Sequence, residues 1–203
     1  MLTFKPLIKT RAVLSIFILL FTACNPTQTP AHRVIVVQPF VDLPALQVKA
    51  VYDVLKRINP NAMLKSPVSL PATAFYRQRN RYRADSIINY FNHSAKKDTV
   101  IIGLTGKDIS TRKGNIADWG VMGLGFEPGN ACVVSSFRLS KANISGQLYK
   151  VALHELGHTQ GLPHCKNKTC FMRDAEGGNH LDEEVDFCQS CKSFLRNKGW
   201  ILK

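Results

Sequence analysis

The sequence has no hydrophobic run long enough to cross a bilayer as a helix. The longest, Ala12 to Ala23, is broken by Ser15 and Thr22, and about 12 residues cannot span roughly 30 Å of hydrocarbon. Acidic residues are scarce, 14 against 27 Lys and Arg. No internal repeat is visible. The composition, 45% hydrophobic and 20% charged, excludes a collagen-like or broadly disordered chain. With 203 residues, length gives little support for a second ordinary domain.

Lys5, Lys9 and Arg11 precede the apolar run, and Cys24 follows it. A basic stretch followed by a short apolar one reads as a secretory signal. Its end, Leu20-Phe21-Thr22-Ala23-Cys24, resembles a bacterial lipobox, in which the cysteine becomes the lipidated first residue. The alternative is a plain signal peptide with an incidental cysteine. Three segments are expected: a signal peptide over 1–23, a lipidated tether over 24–32, and one folded domain over 33–203. The expected location is that of an exported bacterial lipoprotein, membrane-anchored at the periplasmic face or the cell surface.

Removing residues 1–23 takes away three basic groups and no acidic one, lowering the formal net charge from +13 to +10. Such a domain can meet acidic surfaces. Arg77, Arg79, Arg81 and Arg83 alternate beside Phe75, Tyr76 and Tyr82, which reads as a solvated basic face or a site for substrate carboxylates. An export signal makes nucleic acid an unexpected partner.

Apolar spacing predicts a helix over 43–58, closed by Asn59-Pro60, and another over 84–91. Strands are expected over 34–38, 63–64 and 99–104. Alternating strand and helix implies parallel pairing. Residues 117–126 carry Gly120, Gly123 and Gly125 and read as one irregular edge strand. A turn at 127–130 joins it to a strand over 131–139 in a hairpin. A helix is expected over 145–160, capped by Asn143 or Ser145. It is apolar around most of its circumference, with Gly146, Lys150 and Gly157 as a thin opposite strip.

That helix carries His154-Glu155-Leu156-Gly157-His158, followed by Gly161 and His164. Two histidines four apart share one helical face. Gly161 permits a sharp exit, Pro163 discourages continuation, and His164 returns as a third ligand. Three protein ligands leave a position open for water, the mark of a catalytic zinc. Glu155 stands beside that position as a general base. Downstream, Cys165, Cys170, Cys188 and Cys191 have the spacing of a structural zinc site. Two disulfides are the alternative that export permits. Cys132 reads as a small buried hydrophobe.

The segment from His154 to Cys191, including Met172, resembles the archaemetzincin family of zinc metallopeptidases within the metzincin clan. The resemblance implies a compact α/β domain with a twisted mixed sheet, an active-site helix and a C-terminal helical, zinc-bound segment. It implies two zinc ions per chain: one catalytic at His154, His158 and His164, one structural at the four cysteines. Met172 then belongs to a turn beneath the catalytic ligands. Peptide hydrolysis is implied, aminopeptidase-like on small peptides, by a monomer. The rival readings are a non-catalytic zinc-binding lipoprotein and a module holding an acidic polymer on its basic face.

Overall fold

The computed structural model describes residues 33–96 and 98–203. The expected signal peptide over 1–23, Cys24 and the expected tether over 24–32 lie outside them. Among the described residues no helix is long and apolar enough to cross a membrane.

In chain order the elements are β1 (Val34–Pro39), α1 (Ala45–Ile58), β2 (Met63–Leu64), β3 (Phe75–Tyr76), β4 (Arg81–Arg83), α2 (Ala84–Asn92), β5 (Thr99–Thr105), β6 (Ile109–Lys113), β7 (Ile116–Val121), β8 (Gly123–Gly125), β9 (Ala131–Ser135), α3 (Ile144–Thr159) and α4 (Gln189–Arg196). The main sheet has the order β2-β1-β5-β9-β8. Its first four strands are parallel, and β8 closes one edge antiparallel to β9. Parallel strands are covered on both faces, which is why Thr99–Thr105 and Ala131–Ser135 are almost wholly buried.

One face of this sheet buries Ile35, Val37, Ile102, Leu104 and Val134 against α1 and α3. The other buries Ile101, Ala131 and Val133 against Ile87, Ile88 and Phe91 of α2. Gly103 lets α2 come close: a Cβ there would lie 2.7 Å from the Phe91 ring. The two clusters hold the central strands rigidly, so α3 rests on a fixed floor.

The expected hairpin is corrected in detail. Residues 117–126 do not form one strand; the chain bends at Met122 and is shared between two sheets. Val121 and Trp119 of β7 register with Ile109 and Thr111 of β6 in a second sheet, ordered β3-β4-β6-β7. Of this stretch, only β8 pairs with β9. The strand expected to reach residue 139 stops at Ser135, whose Oγ donates to Lys107 O and accepts from Phe137 N–H, turning the chain.

The arginine stretch is only in part a solvated basic face: Arg77 and Arg79 are exposed, whereas Arg81 and Arg83 are half-buried. Arg77–Arg79 is a 3₁₀ turn, and Asn80 is left-handed at φ 49°. Arg79, Arg81 and Arg83 converge on Asp118, and Arg81 also meets Asp108. The alternation is broken because these side chains are used to hold the second sheet together.

Candidate metal centre and cleft

α3 lies across the main sheet, and nearly all its faces are covered. Lys150, expected on an exposed strip, is only 9% exposed. Its Nζ donates to Leu181 O at 2.6 Å and Glu184 O at 2.7 Å, fastening the segment 181–187 along the helix. Gly157 is covered too, because a Cβ there would stand 2.6 Å from Met172 Sδ. Met172 is fully buried and packs directly beneath the histidine-bearing turn. Asn143 occupies the N-cap position but makes no side-chain capping bond.

The helix ends as its sequence anticipates. Gly161 is left-handed at φ 87°, its N–H donates to His158 O, and Leu162 N–H donates to Gly157 O. This paired closure satisfies the last carbonyls and reverses the chain, bringing His164 back to the helix face.

The three imidazoles meet there. His154 Nδ1 donates to Phe171 O at 2.7 Å, and His158 Nδ1 donates to Leu162 O at 2.9 Å. A carbonyl can only accept, so each Nδ1 carries the proton and each Nε2 presents its lone pair. His158 Nε2 lies 3.0 Å from His154 Nε2 and 3.3 Å from His164 Nε2. Tetrahedral zinc with Zn–N bonds near 2.05 Å separates its nitrogens by about 3.3 Å. Lone pairs converging this closely fit a shared cation. Burial, reinforced by the neighbouring imidazoles, depresses the His154 pKa to about 3 and lowers that of His158. Both rings are therefore neutral and ligand-competent at physiological pH.

Two carboxylates stand behind these rings: Glu127 Oε2 lies 3.4 Å from His158 Nδ1, and Asp174 Oδ2 lies 3.5 Å from His164 Nδ1. Sequence reasoning missed both, since neither lies within the motif. Acceptors of this kind orient metal-binding imidazoles.

Glu155 is 7% exposed and packs against β8. A Cβ at Gly123 would fall 2.6 Å from Glu155 Cγ, and one at Gly125 would fall 2.6 Å from Glu155 O. These glycines admit the carboxylate between helix and strand. Burial raises its pKa to about 8, partly opposed by a hydrogen bond from Gly125 N–H. A nearby dication shifts such a group back towards its charged form. Its proton affinity is thus adjustable near neutral pH, as a proton carrier requires.

The four cysteines form a second cluster. All of Cys165, Cys170, Cys188 and Cys191 are free, and their sulfurs lie within 4.8 Å of one another. Cys165 Sγ and Cys188 Sγ are 3.7 Å apart, far beyond a disulfide bond near 2.05 Å. Zinc with Zn–S bonds near 2.3 Å separates tetrahedral sulfurs by about 3.8 Å. The geometry thus fits a metal better than the disulfide alternative. Cys188 precedes α4 and Cys191 lies in its first turn, where the helix dipole favours thiolate. Burial pushes the Cys188 thiol up, but hydrogen bonds with Ser190, Cys191 and Cys165 outweigh it and bring the pKa to about 6. Cys191 is pushed well up, by burial first and by Cys188 next. Cys132 is fully buried in β9, as expected of a packing residue.

A cleft of about 600 Å³ opens over the histidines, lined by Trp119, Gly123, Val151, His154, Glu155 and His164 among others. Its lining includes the candidate base and two of the three candidate ligands, His154 and His164, beside the edge strand β8. The arrangement suits metal-assisted hydrolysis of an extended substrate.

The model of peptidase family M54 matches residues 33–197. The chain belongs to peptidase family M54. Among relatives, an archaemetzincin of Haloquadratum walsbyi is 30% identical over 173 residues, covering 77% of this chain and 96% of its own. The crystal structure of archaemetzincin from Archaeoglobus fulgidus, complexed with malonate, superposes with a TM-score of 0.67 at 28% identity, covering 79% of this chain and 98% of that one. That from Methanopyrus kandleri gives 0.69 at 25% identity, covering 85% and 98%. The M54 chain is accordingly a zinc-dependent metallopeptidase of mixed α/β fold, and peptides are its substrates.

Proposed function

We propose that His154, His158 and His164 hold the catalytic zinc of this peptidase, and that Glu155 is its general base. The single observation carrying this reading is the convergence of three Nε2 lone pairs beside the buried Glu155 carboxylate. Zinc at such a site supplies Lewis acidity, polarising the scissile carbonyl and easing deprotonation of water. Glu155 accepts a proton from the attacking water and returns it to the departing amine as the C–N bond breaks. The free edge of β8 takes the substrate backbone in extended form. Phe171 O and Leu162 O, with Asp174 and Glu127, keep the imidazoles aimed. Met172 supports the turn of α3 that carries His158.

Cys165, Cys170, Cys188 and Cys191 hold a second, structural zinc, making two per chain. Substrates are small peptides, cleaved in an aminopeptidase-like manner, by a monomer. The chain works as an exported lipoprotein: residues 1–23 are the signal peptide, Cys24 carries the lipid, 24–32 form the tether and 33–203 the peptidase domain. The apolar run and the small residue before Cys24 support this placement.

Glu155→Gln is expected to lower peptide cleavage by about 10²–10⁴-fold while leaving two zincs bound. Metal content by mass spectrometry and cleavage of a mixed peptide library check it. A parent chain with both zincs and no cleavage of any peptide would overturn the assignment of Glu155. Cys24→Ala should move the chain from the membrane pellet to the soluble fraction; an unchanged pellet would remove the anchor.

A further inference from the structure

The cleft holds one charged group that the hydrolytic mechanism does not use. Glu184 lines it beside Val151, Leu181 and His154. The residue is only 5% exposed, and its Oε2 is fully buried with no hydrogen-bond partner. Buried carboxylates in native folds are normally paired or hydrogen-bonded, so an orphan on a residue that lines a cleft calls for a partner from outside.

Among the described residues no cation of the fold forms an ion pair with Glu184: exposed Arg112 lines the cleft without reaching it, and the others are engaged elsewhere. Lys150 Nζ sits on the carbonyls of Leu181 and Glu184, not on the carboxylate. Arg173 is bonded to Glu183 at 2.6 Å. Arg138 makes two bonds to Asp108, and Lys113 lies over the Trp119 ring. Among the side chains lining the cleft, Glu184 alone has a fully buried polar atom without a partner. Burial without a donor also raises its pKa to about 7, with Lys150 opposing only in part.

Position agrees with this reading. Lys150 and His154 are four apart on α3, so the Glu184 segment is fastened about one helical turn, ~5–6 Å, from the first histidine. Val151 and Leu181 provide an apolar wall between. An aliphatic stem can lie along such a wall while its charged end reaches further.

We propose that Glu184 is a specificity residue that binds a cationic group of the substrate, an ammonium, within the cleft. This rests on the peptidase reading for its location but not on Glu155 acting as base. Two sources of ammonium are possible, a lysine side chain or the peptide amino terminus, and the test separates them.

The experiment uses the full zinc-loaded chain carrying Glu155→Gln, so that peptides survive. Binding is read by Trp119 fluorescence and by calorimetry. The probes are tetrapeptides of alanine with lysine at each position in turn, their norleucine twins, and N-acetylated forms of each. Removing the relevant ammonium is expected to weaken binding at least tenfold. Norleucine produces the loss if the side chain is read, and acetylation if the terminus is read. Adding Glu184→Gln should abolish that difference while leaving the uncharged peptides' affinity unchanged. Glu184→Asp, which keeps the charge, should retain part of it. Equal binding of charged and uncharged probes, no binding of any probe, or an equal loss for all probes on Glu184→Gln would overturn the proposal. A persistent Glu184-dependent preference in a chain whose parent cleaves nothing would sink the hydrolytic reading alone.

Discussion

Glu184 also leaves a mark on stability that needs no substrate. Its pKa in the folded chain, about 7, stands above the ordinary 4.5. The folded state therefore holds this proton more firmly than the unfolded one. The stability it contributes is full below about pH 4.5 and is lost as pH rises through 7. Glu184→Gln removes that dependence. Between pH 4.5 and 7 the parent's Tm should fall relative to the variant's, as scanning calorimetry would register. Parallel Tm profiles would show that the carboxylate is not desolvated. Residues of this kind were illegible in the sequence. His154, His158 and His164 could be read because their spacing has meaning on a helix. Lys150 and Glu184 could not: each looks like an ordinary surface charge, and only the fold reveals that the segment 181–187 buries both. Asp174 and Glu127 were hidden for the same reason, since loop positions give no periodic signal.

Among the elements, helices were read best. α1, α2 and α3 fall within a residue or two of their expected limits, because apolar spacing marks all three and a breaker closes α1 and α3. The parallel core of the sheet was legible from the alternation of strand and helix. The second sheet was not. β6 is largely polar, Ile109 being its only large apolar residue, and the split at Met122 depends on pairing across the chain that local pattern does not encode. The glycines of β8 were visible, but their purpose emerges only from α3 beside them. A Cβ at Gly125 would come within 2.6 Å of a backbone oxygen of Glu155, which cannot swing aside. Gly125→Ala should displace β8 from the helix, costing about 1–3 kcal/mol of stability. It should also lower peptide cleavage at least about tenfold through misplacement of the carboxylate, with zinc content unchanged. Denaturant melts, metal analysis and peptide assays test the three parts, and full activity would show that the strand yields freely.

For the whole molecule, the cysteine cluster ties the C-terminal segment to the domain. Cys170 is fully buried, and its Sγ accepts from Cys188 N–H at 3.2 Å. Cys170→Ser is expected to lose one zinc equivalent, to lower the Tm on the order of 10 °C, and to expose the segment after residue 164 to limited proteolysis. Retention of two zincs would mean that the cluster is not a metal site.

His164 and Cys165 are consecutive residues, yet one faces the imidazole cluster and the other the sulfur cluster. A single peptide unit therefore joins the two centres. Cys165 N–H is held by Met172 O at 2.7 Å, which leaves that joint little slack. A shift made on filling either centre is therefore passed through this stiff joint to the other. Under the proposed two-zinc assignment, the ions should load with positive cooperativity, and a chelator titration should remove them as a pair rather than in two well-separated steps.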